Sequence, residues 1–124
     1  MEVGIFDSWR IISSSLIIKI TDRSVFEYNM SGIPQETRTF WSIDDFISGS
    51  SKSIQLLCGN NKFEATLLMD VTGRTRIAWR SDFRDFLLNK YPYWKDFEQF
   101  KFPLLCFRNM SESQYEVSFE TSKL

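Results

Sequence analysis

A β-strand pattern runs through Gly73-Arg74-Thr75-Arg76-Ile77-Ala78-Trp79-Arg80. Side chains on a strand alternate between two faces, so the three arginines share one face while Ile77 and Trp79 lie on the other. A row of planar guanidinium groups suits phosphate oxygens and the acceptor edge of guanine. On this octapeptide alone, the charged outer face of an antiparallel sheet explains the pattern better than a ligand site does.

The segments on either side of the octapeptide extend this sheet. Residues 53–58 and 62–69 have strand composition, and the turn residues at 59–61 and 70–73 connect them to the octapeptide as a meander. Downstream, the spacing of Phe83, Phe86 and Leu87 predicts a helix over 82–90, with Ser81 as its N-cap.

The rest of the chain predicts more strands and little helix. Residues 16–20 and 25–28 read as strands joined by a turn into a hairpin, and 102–108 and 114–120 read as two closing strands. Residues 8–15 fit a strand or a short helix, and 34–41 fit a short helix or an extended segment. We therefore expect a mainly β protein with short helices, in which six or seven strands form a small antiparallel open barrel.

Composition limits the possible functions. The chain has 124 residues, and we expect one domain over residues 1–124. Its formal net charge is −1, so a nucleic-acid binder of this composition must concentrate positive charge on one face. The sequence has no histidine, which removes Ser-His-Asp and Cys-His mechanisms and the commonest nitrogen ligand of zinc.

The cysteines and the N-terminal residues predict a protein of the cytoplasm. Cys58 and Cys106 lie in apolar runs, and we expect buried free thiols, with a disulfide left open only for an exported protein. The first seven residues do not form a signal peptide, and no apolar run has the length of a membrane span. No phosphate-binding glycine loop, metal-ligand cluster or nucleophile elbow is present, so we expect neither an enzyme nor a cofactor or metal.

A second polar cluster comes before the meander, at Ser31, Gln35, Thr37 and Arg38. A glutamine amide can pair with adenine and a guanidinium with guanine, and each such contact is worth about 1–3 kcal/mol of discrimination. A polar loop explains the cluster equally well.

Two segments of the chain together resemble a known family. Residues 28–34, Tyr-Asn-Met-Ser-Gly-Ile-Pro, precede residues 73–79, Gly-Arg-Thr-Arg-Ile-Ala-Trp, by some forty positions. They resemble the two DNA-contacting arms of the plant B-three pseudobarrel and, more closely, of its bacterial version, the effector or target-recognition domain of restriction endonucleases such as EcoRII and BfiI. The resemblance implies a DNA-binding pseudobarrel: a seven-stranded open barrel, with short helices at its ends, that grips duplex DNA in the major groove.

The resemblance also implies which residues contact DNA. An N-arm would supply Arg23, Ser24, Tyr28, Ser31, Gly32, Gln35 and Arg38. A C-arm would supply Gly73, Arg74, Thr75, Arg76, Trp79 and Arg80.

We therefore predict a sequence-specific binder of double-stranded DNA without catalytic activity. It would be the target-recognition module of a restriction or defence system whose nuclease is another domain or subunit. Two alternatives stay open. One is a protein-interaction barrel that uses the aromatic residues 91–94, and the other is an OB-type binder of single-stranded nucleic acid that stacks bases on exposed rings.

Overall fold

A computed structural model describes residues 3–98 and 101–120 of the chain. Nine strands form one sheet in the order β1-β2-β3-β8-β9-β5-β6-β7-β4. The strands are β1 (Gly4–Phe6), β2 (Trp9–Ser13), β3 (Leu16–Ile20), β4 (Met30–Ile33), β5 (Ser51–Cys58), β6 (Asn61–Met69), β7 (Thr75–Trp79), β8 (Leu104–Ser111) and β9 (Gln114–Glu120). The helices are α1 (Arg23–Glu27) and α2 (Ser81–Lys90), and short 3-10 turns cover Gln35–Thr37 and Trp94–Asp96.

The sheet curls into an open half-barrel, which confirms the mainly β fold with short helices. All neighbouring strands pair antiparallel except β5 and β9, which run parallel. The predicted meander is present as β5-β6-β7, with Leu67 opposite Ile77 and Ala65 opposite Trp79. Six of the predicted strands are present, and β2 forms where the sequence left strand and helix open. The short strands β1 and β4, of three and four residues, were not predicted and bring the number to nine.

The edges of the sheet, β1 and β4, leave a seam where the barrel stays open. The indole Nε1 of Trp9, on β2, donates a hydrogen bond of 2.9 Å to the carbonyl oxygen of Gly32 on β4. This bond joins the two ends of the curled sheet across the seam.

Large rings fill the inside of the curl. Trp9, Trp41, Phe107 and Tyr115 pack together with ring centroids 4.7–6.1 Å apart. Their dense contacts fix the curvature that places β1 and β4 near each other.

Two predicted elements were wrong. Residues 25–28 are not a strand, since α1 begins at Arg23, and no hairpin joins them to β3, which pairs instead with β2 and β8. The carboxylate of Asp22 caps α1 by accepting the backbone N–H of Ser24 at 2.9 Å, and adjacent Val25 and Phe26 are both buried. Neighbouring strand residues would point to opposite faces, so a helix buries this pair better.

Other boundaries moved by small amounts. The helix over 82–90 is confirmed, but Ser81 is its first residue and Arg80 is the N-cap. Of the possible helix over 34–41, only the 3-10 turn Gln35–Thr37 forms. Both cysteines are free thiols, as expected, although Cys58 is only half-buried. Within the described ranges no helix is long and apolar enough to cross a membrane.

Candidate functional site

The turn between β6 and β7 is built around Asp70. One carboxylate oxygen of Asp70 accepts hydrogen bonds from the backbone N–H and the hydroxyl of Thr72, at 2.9 and 2.6 Å, and from the backbone N–H of Arg74 at 3.1 Å. Gly73 has a φ of +83°, a conformation that glycine adopts without strain. These bonds, chiefly the one from the Thr72 hydroxyl, lower the pKa of the Asp70 carboxyl below its usual value.

The second carboxylate oxygen of Asp70 reaches the start of β7. It lies 3.2 Å from a guanidinium nitrogen of Arg76, whose other nitrogen is 3.6 Å from the sulfur of Met30. Arg76 is therefore oriented along the sheet by a partner on each side.

The strands β4 and β7 pair antiparallel and bring the N-arm and C-arm segments side by side. Ile33 lies opposite Thr75 and Gly32 opposite Arg76, and the Thr75 hydroxyl donates to the carbonyl of Ile33 at 2.8 Å. Residues that are some forty positions apart in the sequence thus share one edge of the sheet.

Arg38 ties the two segments together. Its guanidinium donates to the Thr75 hydroxyl at 3.2 Å and to the Gly73 carbonyl at 3.0 Å. The positive charge of Arg38 is held against the C-arm turn, so part of its hydrogen-bonding capacity is already used within the protein.

A cleft of about 520 Å³ opens at the seam, and we call it the seam cleft. The β1-β2 turn forms one wall, and the paired N-arm and C-arm segments form the other. Four positive side chains and one carboxylate are among its lining residues, which are Asp7, Ser8, Trp9, Lys19, Gly32, Ile33, Pro34, Gln35, Arg38, Gly73, Arg74, Thr75 and Arg76. Positive charge is thus concentrated here in a protein whose net charge is −1.

Arg74, Gln35 and Asp7 are the exposed polar side chains of the seam cleft, and among the described residues none of the three has a hydrogen-bond or ion-pair partner. The Asp7 carboxylate acts on Lys19 through its charge alone. A free guanidinium and a free amide at the mouth of a cleft are available to an external ligand.

Sequence reasoning missed Lys19, Asp7 and Ser8, which complete the seam cleft. Lys19 is only 8% exposed, and its ammonium donates a hydrogen bond to the Ser8 hydroxyl and lies 5.3 Å from the centre of the Trp9 ring. Burial lowers the pKa of this ammonium, and the carboxylates of Asp22 and Asp7 offset part of the shift. The available signal was the single charge within the apolar run Leu16-Ile17-Ile18-Lys19-Ile20.

Several predicted contact residues lie outside the seam cleft. Arg23 pairs with Glu27 at 2.6 Å on α1, and the Ser24 hydroxyl donates to Asp22 at 2.6 Å. Tyr28 is 60% exposed on the loop before β4 and does not line the cleft. The first part of the N-arm therefore lies on α1 and at its C-terminal end, outside the seam cleft.

Three further predicted residues differ from expectation in their surroundings. Trp79 is 4% exposed and packs on Phe83 at 5.5 Å, so its ring lies in the core rather than at a surface. Ser31 is also buried, at 8% exposed. Arg80 is exposed, but it follows β7 and lies about 20 Å along the strand from Arg74.

The aromatic cluster at 91–94 is mostly part of the core. Trp94 is 7% exposed and stacks on Phe26 at 5.6 Å, while Tyr91 packs against Phe97 and Phe119. Tyr93, at 73% exposed, is left as its one large exposed ring. This is a small surface for a protein partner or for base stacking.

Comparison with known proteins identifies a similar fold. No family model matches the sequence, and no curated protein matches it. Among solved structures, the N-terminal domain of Helicobacter pylori LlaJI.R1 is similar, with a TM-score of 0.61 and 13% sequence identity. The similarity covers 86% of this chain and 80% of that one, so the two share the curled-sheet fold over most of their length.

Proposed function

We propose that this chain recognises double-stranded DNA through the seam cleft and its rim, in a sequence-specific manner. The observation that carries the proposal is the pairing of β4 with β7, which places the N-arm and C-arm segments at one positively charged edge. The major groove of B-form DNA admits a two-stranded β-ribbon. In this chain the edge strand β4 pairs with β7, which also pairs with β6, so the edge of a wider sheet would face the groove.

The free and the engaged side chains take different roles in this proposal. Arg74 and Gln35 are unpartnered at the cleft mouth, so they are our choice for contacts to base edges. Arg76 and Arg38 are held by Asp70 and by the Gly73 turn, and such fixed charges suit phosphates, which set the register of the protein on the duplex.

The biological setting is part of the proposal. LlaJI.R1, whose N-terminal domain has a similar fold, is a restriction-system protein. We infer that this chain is the target-recognition module of a restriction or defence system, without catalytic activity of its own. A nuclease on another domain or subunit would then cut the DNA.

Selection from a random duplex library, followed by fluorescence anisotropy on the enriched duplex, tests the proposal. The protein should bind that duplex more tightly than a scrambled duplex or either single strand. Arg74→Ala should weaken binding by about fivefold or more, since a good base contact is worth about 1–3 kcal/mol.

Arg108→Ala is the matched control. Arg108 lies on β8, is exposed, and is 3.9 Å from Glu116, and its loss changes the net charge by the same amount. Equal affinities of the Arg74→Ala variant and the wild type would contradict the assigned site. Tighter binding to single strands than to any duplex would contradict the function itself.

A further inference from the structure

Lys19 is an unusual residue for the interior of a sheet. It lies on β3 between Ile17 and Thr21, both buried, and faces the inside of the curl at the seam. Taking an ammonium group out of water is strongly unfavourable unless acceptors replace the lost water. The fold therefore maintains this charge at a cost to stability.

Lys19 has fewer hydrogen-bond acceptors than its ammonium group could use. An ammonium has three N–H donors, and among the described residues the Ser8 hydroxyl is the one hydrogen-bond acceptor that Lys19 has. Asp7 and Asp22 act on it through charge alone, and neither forms a hydrogen bond or an ion pair with it. Lys19 lines the seam cleft, which is open to solvent and to a ligand.

The walls of the seam cleft determine which ligand can use these donors. Arg38, Arg74 and Arg76 surround the cleft, and the carboxylate of Asp7 is their single acidic neighbour among the lining residues. A cation would be repelled here, whereas an oxyanion would meet positive charge on several sides. The Ser8 hydroxyl can also turn to donate to such an anion.

We propose that Lys19 and Ser8 form a buried phosphate subsite at the floor of the seam cleft, which takes a backbone phosphate of the bound duplex. This inference rests on the proposed function, because the phosphate is supplied by DNA that the cleft rim holds. Lys19 would then act on every sequence alike, whereas Arg74 and Gln35 at the rim would discriminate between sequences.

Lys19→Met tests the subsite by replacing the ammonium with an apolar side chain of similar length. Affinity for the selected duplex should fall about three- to tenfold, and the slope of log K against log salt should become shallower by about 0.9, the value for one phosphate contact. The loss should be equal for the selected and the scrambled duplex. Lys62→Met is the matched control, since Lys62 is exposed at the opposite end of β6 from the Asp70 turn.

A second variant leaves Lys19 in place. Ser8→Asp puts a carboxylate beside the ammonium and should produce the same loss of slope, even if Lys19→Met folds poorly. Thermal unfolding of both variants checks the fold. Inorganic phosphate in place of chloride at equal ionic strength should compete with duplex for the wild type and compete more weakly for Lys19→Met, which retains Arg38 and Arg76.

The outcomes separate the subsite from the proposed function. Failure of the wild type to bind any duplex would overturn both. An unchanged slope in Lys19→Met and Ser8→Asp, with Arg74→Ala still weakened, would overturn the subsite alone. A loss confined to one base position would show a base contact instead, and phosphate competition without any loss of duplex affinity would show a site for free phosphate.

Discussion

Three arginines that look alike in the sequence have different environments in the structure. Arg38 donates to the Thr75 hydroxyl and the Gly73 carbonyl, Arg76 pairs with Asp70, and Arg74 has no partner among the described residues. A charged hydrogen bond to a partly buried group contributes to stability, whereas a free exposed guanidinium contributes little. Arg38 and Arg76 are therefore fixed within the fold, whereas Arg74 is left free for the proposed base contact.

This difference in partners predicts different effects of Arg38→Ala and Arg74→Ala on stability. Arg38→Ala should lower the free energy of unfolding by about 2 kcal/mol, because it leaves the Thr75 hydroxyl and the Gly73 carbonyl without a charged donor. Arg74→Ala should change it by less than about 0.5 kcal/mol, the usual range for surface substitutions. Urea denaturation followed by tryptophan fluorescence measures both values, and equal stabilities of the two variants would contradict this assignment.

At the scale of elements, the sequence predicted best where one periodic signal had no competitor. In residues 53–80 apolar side chains alternate, and burial of one face fixes strand register, so β5, β6 and β7 were found almost to the residue. At 23–28 two signals competed. β-propensity favoured a strand, but the Asp22 cap and the burial of Val25 beside Phe26 favoured the helix that forms.

The seam cleft was only partly predictable from the sequence, because some of its residues meet through long-range packing. Four C-arm residues, Gly73 to Arg76, and the later N-arm residues Gly32, Gln35 and Arg38 line one cleft. A turn or a proline marks each of these segments in the sequence. Lys19 lines the cleft because the sheet curls and brings β3 to the seam. Sheet curvature depends on core packing, which no local sequence pattern encodes. The pairing of β4 with β7 spans some forty residues and was equally hidden.

The β6-β7 turn gives a prediction at this scale. Gly73→Ala should lower the free energy of unfolding by about 1 kcal/mol, since a φ of +83° is unfavourable for a residue with a Cβ. It should also weaken duplex binding, because the turn positions Arg74. Chemical denaturation and anisotropy on the same samples measure the two effects.

Gly32→Ala is the control for that substitution. A Cβ at Gly32 meets no atom within 4 Å, and its φ is not positive, so the variant should be as stable as the wild type or slightly more so. Equal stability of Gly73→Ala and Gly32→Ala would show that a Cβ at position 73 does not strain the turn, which would contradict this prediction.

For the whole molecule, the net charge of −1 requires that DNA binding depend on local charge. Positive charge at the seam cleft comes from Lys19, Arg38, Arg74 and Arg76, while the acidic residues in excess elsewhere do not favour contact with DNA over a wide surface. The number of phosphates that the protein neutralises should therefore be small.

Salt dependence measures that number directly. The slope of log K against log salt should lie between about −2.5 and −3.6, since four positive groups release at most about 0.9 counterions each. Anisotropy titrations from low to physiological salt give the slope, and Arg108→Ala should leave it unchanged because that residue lies outside the cleft. A slope near −7 would mean that DNA contacts extend far beyond the seam cleft, which would contradict recognition by a single charged edge. A slope near zero would show that the protein makes no phosphate contacts. The four positive side chains at the seam cleft would then have no role in binding DNA.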